Sequence, residues 1–226
     1  MNGILLIDKP SGWTSFDVVN YVRKMVAIAE GKKPKNVKVG HTGTLDPLAT
    51  GLLVLLIGNY TKRALELSKL DKTYEVAMRL GQTSTTGDRE GDITEISDTK
   101  PEHTDIEDVL QKFTGEIMQT PPAYSAVKVN GQRAYKLARA GKSVDIEPRK
   151  VTIHQIELKK YEYPAAEFMA AVSSGTYIRT LVEDIGKELG TGAYMTDLRR
   201  VNVGQFSINN AESPKTTDLL HNVFEI

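Results

Sequence analysis

Six consecutive apolar residues, Leu52 to Ile57, stand between Gly51 and Gly58, and this run constrains the fold more than any other stretch of the chain. Its length and its glycine flanks predict a central β-strand rather than a helix. Directly ahead of it lies Gly40-His41-Thr42-Gly43-Thr44-Leu45-Asp46-Pro47-Leu48-Ala49-Thr50-Gly51. Glycines and threonines in such a loop let a ligand approach both backbone and polar side chains. The spacing is not that of a phosphate loop, because no lysine follows Gly43 or Gly51. Asp46 precedes a proline and is therefore kept out of the α region, which can present its carboxylate from a rigid turn. Taken alone, an Asp-Pro pair reads first as an Asx turn leading into a strand.

The rest of the chain predicts an α+β fold. Gly3 to Asp8 reads as a short buried strand ended by Pro10-Ser11-Gly12, and Ser15 or Asp17 caps a helix carrying Val18, Val19, Val22, Met25 and Val26. A basic loop with Lys32, Lys33, Lys35 and Lys38 follows it. Ala64 to Leu70 reads as a short helix and Thr73 to Leu80 as a strand. Thr104 and Glu107 read as a capping box opening an amphipathic helix over 104–114. Beyond Pro121 and Pro122 come the turn pair Asn130-Gly131, a basic helix near 134–140, strands over 151–161 and 167–173, a helix over 177–189, and a strand over about 201–207. Strands and helices mix without a regular βαβ beat, which favours α+β over a doubly wound sheet.

Composition excludes several classes. At 226 residues, with 40% hydrophobic and 26% charged side chains, the chain is an ordinary globular one and predicts a single domain. The lack of cysteine removes disulfides, thiolate metal sites and cysteine nucleophiles. His41, His103, His154 and His221 share no metal-ligand spacing. The apolar run Ile4 to Ile7 is too short for a signal peptide, and nothing approaches the ~20 apolar residues of a membrane span, so a soluble cytoplasmic protein is expected. The formal net charge of zero argues at first against nucleic acid. It is a cancellation. Residues 88–108 hold nine acids against two bases, and residues 124–150 hold seven bases against two acids.

The loop around Asp46 resembles the catalytic motif of the pseudouridine synthases of the TruB family. Further blocks agree in order: Ile7-Asp8-Lys9-Pro10-Ser11-Gly12-Trp13-Thr14-Ser15, Lys72-Thr73-Tyr74, Pro121-Pro122-Ala123-Tyr124-Ser125-Ala126-Val127-Lys128, Ser174-Gly175-Thr176-Tyr177-Ile178-Arg179-Thr180-Leu181 and Asp197-Leu198-Arg199-Arg200. The resemblance implies a mixed, largely antiparallel central sheet flanked by helices, with an RNA-binding insertion. It implies isomerisation of uridine 55 in the tRNA T-loop, without cofactor or metal, with Asp46 as the catalytic carboxylate. Arg179 would hold Asp46 ionised, and Tyr74, Tyr177 and Leu198 would line the pocket of the flipped base. His41 would fill the space the nucleotide leaves, and Lys9 and Pro10 would support the active-site loop.

The same resemblance makes the stretch 124–150 an insertion closing on the T-arm stem-loop, where Lys128, Arg133, Lys136, Arg139 and Lys142 would neutralise phosphates. The acidic stretch 88–108 is expected to face away from RNA. Typical bacterial relatives continue into a small C-terminal RNA-binding domain of the PUA type, for which 226 residues leave no room, so a catalytic domain alone, acting as a monomer, is expected. A guide-RNA-dependent synthase and a tRNA-folding RNA chaperone are the competing readings.

Overall fold

The computed structural model describes every residue except Ala126, Asn130, Lys142 and Ser143. In chain order the elements are β1 (Gly3–Lys9), α1 (Ser15–Ala29), β2 (Val39–His41), β3 (Thr50–Ile57), α2 (Ala64–Ser68), β4 (Lys72–Leu80), β5 (Gln82–Ser84), β6 (Ile93–Glu95), α3 (His103–Lys112) and β7 (Gly115–Gln119). Then come β8 (Lys128–Val129), β9 (Gln132–Arg133), α4 (Ala134–Arg139), β10 (Arg149–Glu162), β11 (Ala165–Val172), α5 (Ile178–Glu188), β12 (Ala193–Val203) and β13 (Phe206–Ser207). The chain forms two compact units, one of Met1–Glu75 with Leu198–Ile226 and one of Val76–Asp197. No helix among the described residues is long and apolar enough to cross a membrane.

In the first unit β3 is the central strand its composition predicts. It pairs antiparallel with β1 and β2 and parallel with β12. Its side chains alternate between two cores, which is why the run is apolar throughout. Leu53, Leu55 and Ile57 pack with Leu5, Ile7 and the Val18, Val19, Val22, Val26 face of α1. Leu52, Val54 and Leu56 pack with Ile4, Leu6, Leu67, Val203 and Phe206 on the other side. Gly51 pairs with Arg200, and a Cβ there would lie 2.3 Å from the Arg200 carbonyl oxygen. Its φ of +99° is a second demand that glycine meets.

The second unit is built on β10, which pairs antiparallel with β11 and β7, with α3 packed against β10 and α5. Its helices bury Ile106, Val109 and Leu110 from α3 and Leu181, Val182 and Ile185 from α5. The architecture is α+β with a mixed sheet and helices.

Local details differ from the sequence reading. Helix α1 is capped by Thr14, which exchanges hydrogen bonds with Asp17, while Ser15 is its buried first residue. Helix α3 is capped by Glu102 with Asp105, two residues ahead of the Thr104–Glu107 pair. The strand expected over 201–207 is instead the end of β12, which runs from Ala193 to Val203, and β13 at Phe206–Ser207, which turns back to pair with it antiparallel. The turn residue Asn130 lies outside the described residues.

Candidate active site

In the first unit the loop between β2 and β3 is held at nearly every residue. Thr42 continues the β2 pairing by donating its N–H to the Val54 carbonyl at 3.1 Å. Ser15, buried at the start of α1, accepts from the Leu45 N–H at 2.8 Å and donates to the Leu45 carbonyl at 3.0 Å. Behind Asp46, the Pro47 carbonyl accepts from the Gly12 N–H at 2.8 Å and from Lys9 Nζ at 3.3 Å. Ser11 donates to the Leu48 carbonyl at 3.2 Å, and the Ala49 N–H closes a turn on the Asp46 carbonyl at 3.1 Å. Asp46 itself is half-buried on this turn. A carboxylate on a segment so fastened has its position set before any substrate arrives.

Three cations lie buried around the loop. Lys9 also donates to the carbonyls of Pro10 at 3.0 Å and Trp13 at 2.7 Å. Burial pushes its ammonium down to about 8, Asp46 pulls the other way, and Arg200 adds to the push. Lys72 donates to the carbonyls of Ser68 and Leu70, and burial, reinforced by Arg200, lowers it to about 8 as well. Arg200 donates from Nε to the Leu52 carbonyl at 2.8 Å and from Nη2 to the Gly43 carbonyl at 3.0 Å.

Of the site residues expected in this unit, His41 borders the loop, and Tyr74 and Leu198 lie two residues along their strands from Lys72 and Arg200. His41 ends β2 and leads into the loop. Its Nδ1 is buried with no hydrogen-bond partner among the described residues. Burial, and then Arg200, lower its pKa, so the ring is neutral at pH 7. Tyr74 is buried on β4 and shares a strand face with Lys72, whose Cε would lie 3.9 Å from a Cβ on Gly43. Leu198 is buried on β12 and shares a face with Arg200. Arg199, on the opposite face, pairs with Asp8 at 2.8 Å.

In the second unit Tyr177 caps α5 and Arg179 occupies its first turn. The Gln119 side chain accepts from the Tyr177 N–H at 2.7 Å and donates to its carbonyl at 3.1 Å. The Arg149 guanidinium lies 5.0 Å from the Tyr177 ring centre. Arg179 is only 7% exposed, although a charged residue beginning a helix would ordinarily face water. It donates to the carbonyls of Thr86 at 3.1 Å and Tyr124 at 2.9 Å, and faces Asp88 at 3.6 Å. Asp88 alone departs from the outward-facing expectation for the acidic stretch: it is 3% exposed, accepts from Thr86 Oγ1 at 2.6 Å and faces Arg179, while the other eight acids of 88–108 are exposed. One turn along α5, burial raises the Glu183 carboxyl, as does Asp184, against the pull of Arg179.

Lys128 and Arg133 stand directly opposite each other on the β8–β9 hairpin, both exposed, and Lys136 is exposed on α4. Arg139 is the last residue of that helix, and Lys142 lies outside the described residues. Among the described residues no three His, Asp or Glu side chains gather as a metal site.

Sequence reasoning gave Ser15 only a candidate helix-capping role, and gave none to Arg200, Lys72 and Asp88. Three of the four lie inside quoted motif blocks, and that was their only signal of a part in the site. Asp88 sits in a charged run whose pattern conceals its burial.

Residues 31–178 match the family model described as TruB family pseudouridylate synthase (N terminal domain), and residues 179–225 match that of the tRNA pseudouridylate synthase B C-terminal domain. The chain is 47% identical over 221 residues to a Pseudomonas fluorescens protein named tRNA pseudouridine synthase B, covering 98% of this chain and 70% of that one. A Pseudomonas aeruginosa protein of the same name is 45% identical over the same shares. Among solved structures, a chain in the crystal structure of a Cbf5-Nop10-Gar1 complex matches with a TM-score of 0.71 and 30% identity over 93% of this chain. This chain spans 52% of that one.

Proposed function

Because the chain belongs to the TruB family of pseudouridylate synthases, and is by that membership an isomerase, we propose that it converts uridine 55 in the T-loop of tRNA to pseudouridine, with Asp46 as the reacting carboxylate. The bond from ribose C1′ to N1 of the uracil breaks, the base turns, and C1′ is rejoined to C5, whose hydrogen is lost as N1 gains one. The exchange is redox-neutral and consumes no cofactor. It needs one carboxylate held ionised at a fixed place, and the observation that carries the reading is the fastening of the loop on both sides of Asp46.

The remaining roles are those that the family resemblance implies. The uridine leaves its stack before it reacts; Tyr74, Tyr177 and Leu198 enclose the extruded base, and neutral His41 takes the space it leaves. Arg179 keeps Asp46 ionised once water has been excluded. Lys128, Arg133, Lys136, Arg139 and Lys142 hold phosphates of the T-arm. Like charges opposed across a hairpin, as Lys128 and Arg133 are, are unfavourable unless an anion lies over them. The enzyme works as a monomer in the cytoplasm.

The test is to incubate the protein with an unmodified tRNA transcript, without guide RNA, and map pseudouridine by carbodiimide chemistry. Product at uridine 55 alone is expected. Product elsewhere, or only when a guide RNA is added, contradicts the reading.

A further inference from the structure

Arg200 is 1% exposed, and among the described residues no carboxylate is paired with it; its acceptors are the carbonyls of Leu52 and Gly43. A guanidinium taken out of water without a carboxylate is costly, and an apolar side chain would serve packing alone at least as well. What an apolar side chain cannot do is join two strands of backbone. The planar guanidinium presents its N–H groups in a fixed fork. One reaches β3 at 2.8 Å, and another reaches the front of the 42–49 loop at 3.0 Å. The far side of the same loop is held at Pro47 by Lys9 and Gly12. Asp46 therefore lies on a span tied at both ends to buried groups.

We propose that Arg200 is a positioning residue of the reaction, one that sets where Asp46 is presented by fastening Gly43 to β3. The proposal rests on the reading of Asp46 as the reacting carboxylate. Its field on His41, Lys72 and Lys9 accords with a cation at the centre of the cluster.

The test compares Arg200→Met, Arg200→Lys and Asp46→Asn on an unmodified T-arm hairpin, measuring the single-turnover rate at saturating protein, the Kd by filter binding, and the thermal midpoint. Val22→Ala, in the α1 core and away from the loop, supplies a destabilised control. Misplacing a reacting group by about an ångström costs roughly 100-fold in rate. Arg200→Met is expected to lose about that much with Kd changed less than about threefold, and Arg200→Lys, whose ammonium can reach one carbonyl, to recover about tenfold of it. Val22→Ala should keep the wild-type rate below its midpoint. If Arg200→Met fails to fold, Arg200→Lys decides. A folded Arg200 variant with the wild-type rate, a loss seen only in Kd, or a rate loss that Val22→Ala matches at equal midpoint would overturn the proposal. An Asp46→Asn enzyme that still turns over would instead remove the reading on which it rests.

Discussion

Ser15 shows how much a single hydroxyl contributes at this site. It satisfies both backbone groups of Leu45, the residue before Asp46, from a position 2% exposed. Ser15→Ala leaves them unpaired in the interior and should lower stability by about 1–3 kcal/mol in urea unfolding; the single-turnover rate should fall while RNA affinity holds. His41 makes a second prediction. Its folded pKa lies below 6.5, so as the pH falls below 6.5 the unfolded chain takes up a proton before the folded one does. Its contribution is intact above pH 6.5 and is lost through the interval beneath. The urea midpoint of wild type should therefore drop more than that of His41→Gln between pH 7.5 and 5.5.

At the scale of elements, β3 and β12 meet where Gly51 faces Arg200. A methyl group at Gly51 would collide with the Arg200 backbone and impose an unfavourable φ, so Gly51→Ala should lose roughly 3 kcal/mol or more, read by chemical denaturation. Lys72, at the start of β4, titrates at about 8 when folded, against 10.5 for an ordinary lysine. Between those limits the unfolded chain holds a proton that the folded chain has released, so this group makes stability rise with pH. The advantage of wild type over Lys72→Met should grow between pH 8 and 10.5 in the same assay. Which elements could be read from sequence follows from similar physics. β3 was legible because burial on both faces writes itself as an unbroken apolar run. β12 was not, because Asp197, Arg199 and Arg200 interrupt it, and no pattern tells that Arg200 is buried while Arg199 pairs with Asp8. The caps moved by one or two residues because Thr14, Ser15 and Asp17 are all chemically fit to cap, and only the fold assigns the role.

For the whole molecule, zero net charge hides an uneven distribution, and on the proposed function RNA affinity should be concentrated in the basic stretch 124–150. Replacing both Arg133 and Lys136 by alanine should weaken T-arm binding and reduce the slope of log K against log salt by about 1.4–1.8, as expected for two lost phosphate contacts. The location of Asp46 was legible from the dozen residues around it. Its fastening was not, since the groups responsible come from β1, the start of α1 and β12, and sequence spacing carries no sign of their convergence on the loop. Whether Asp46 is the reacting carboxylate is decided by the single-turnover rate of Asp46→Asn on an unmodified T-arm hairpin, with Kd measured on the same preparation. No detectable pseudouridine is expected, with binding retained. Product formed at a rate comparable to wild type would contradict that role.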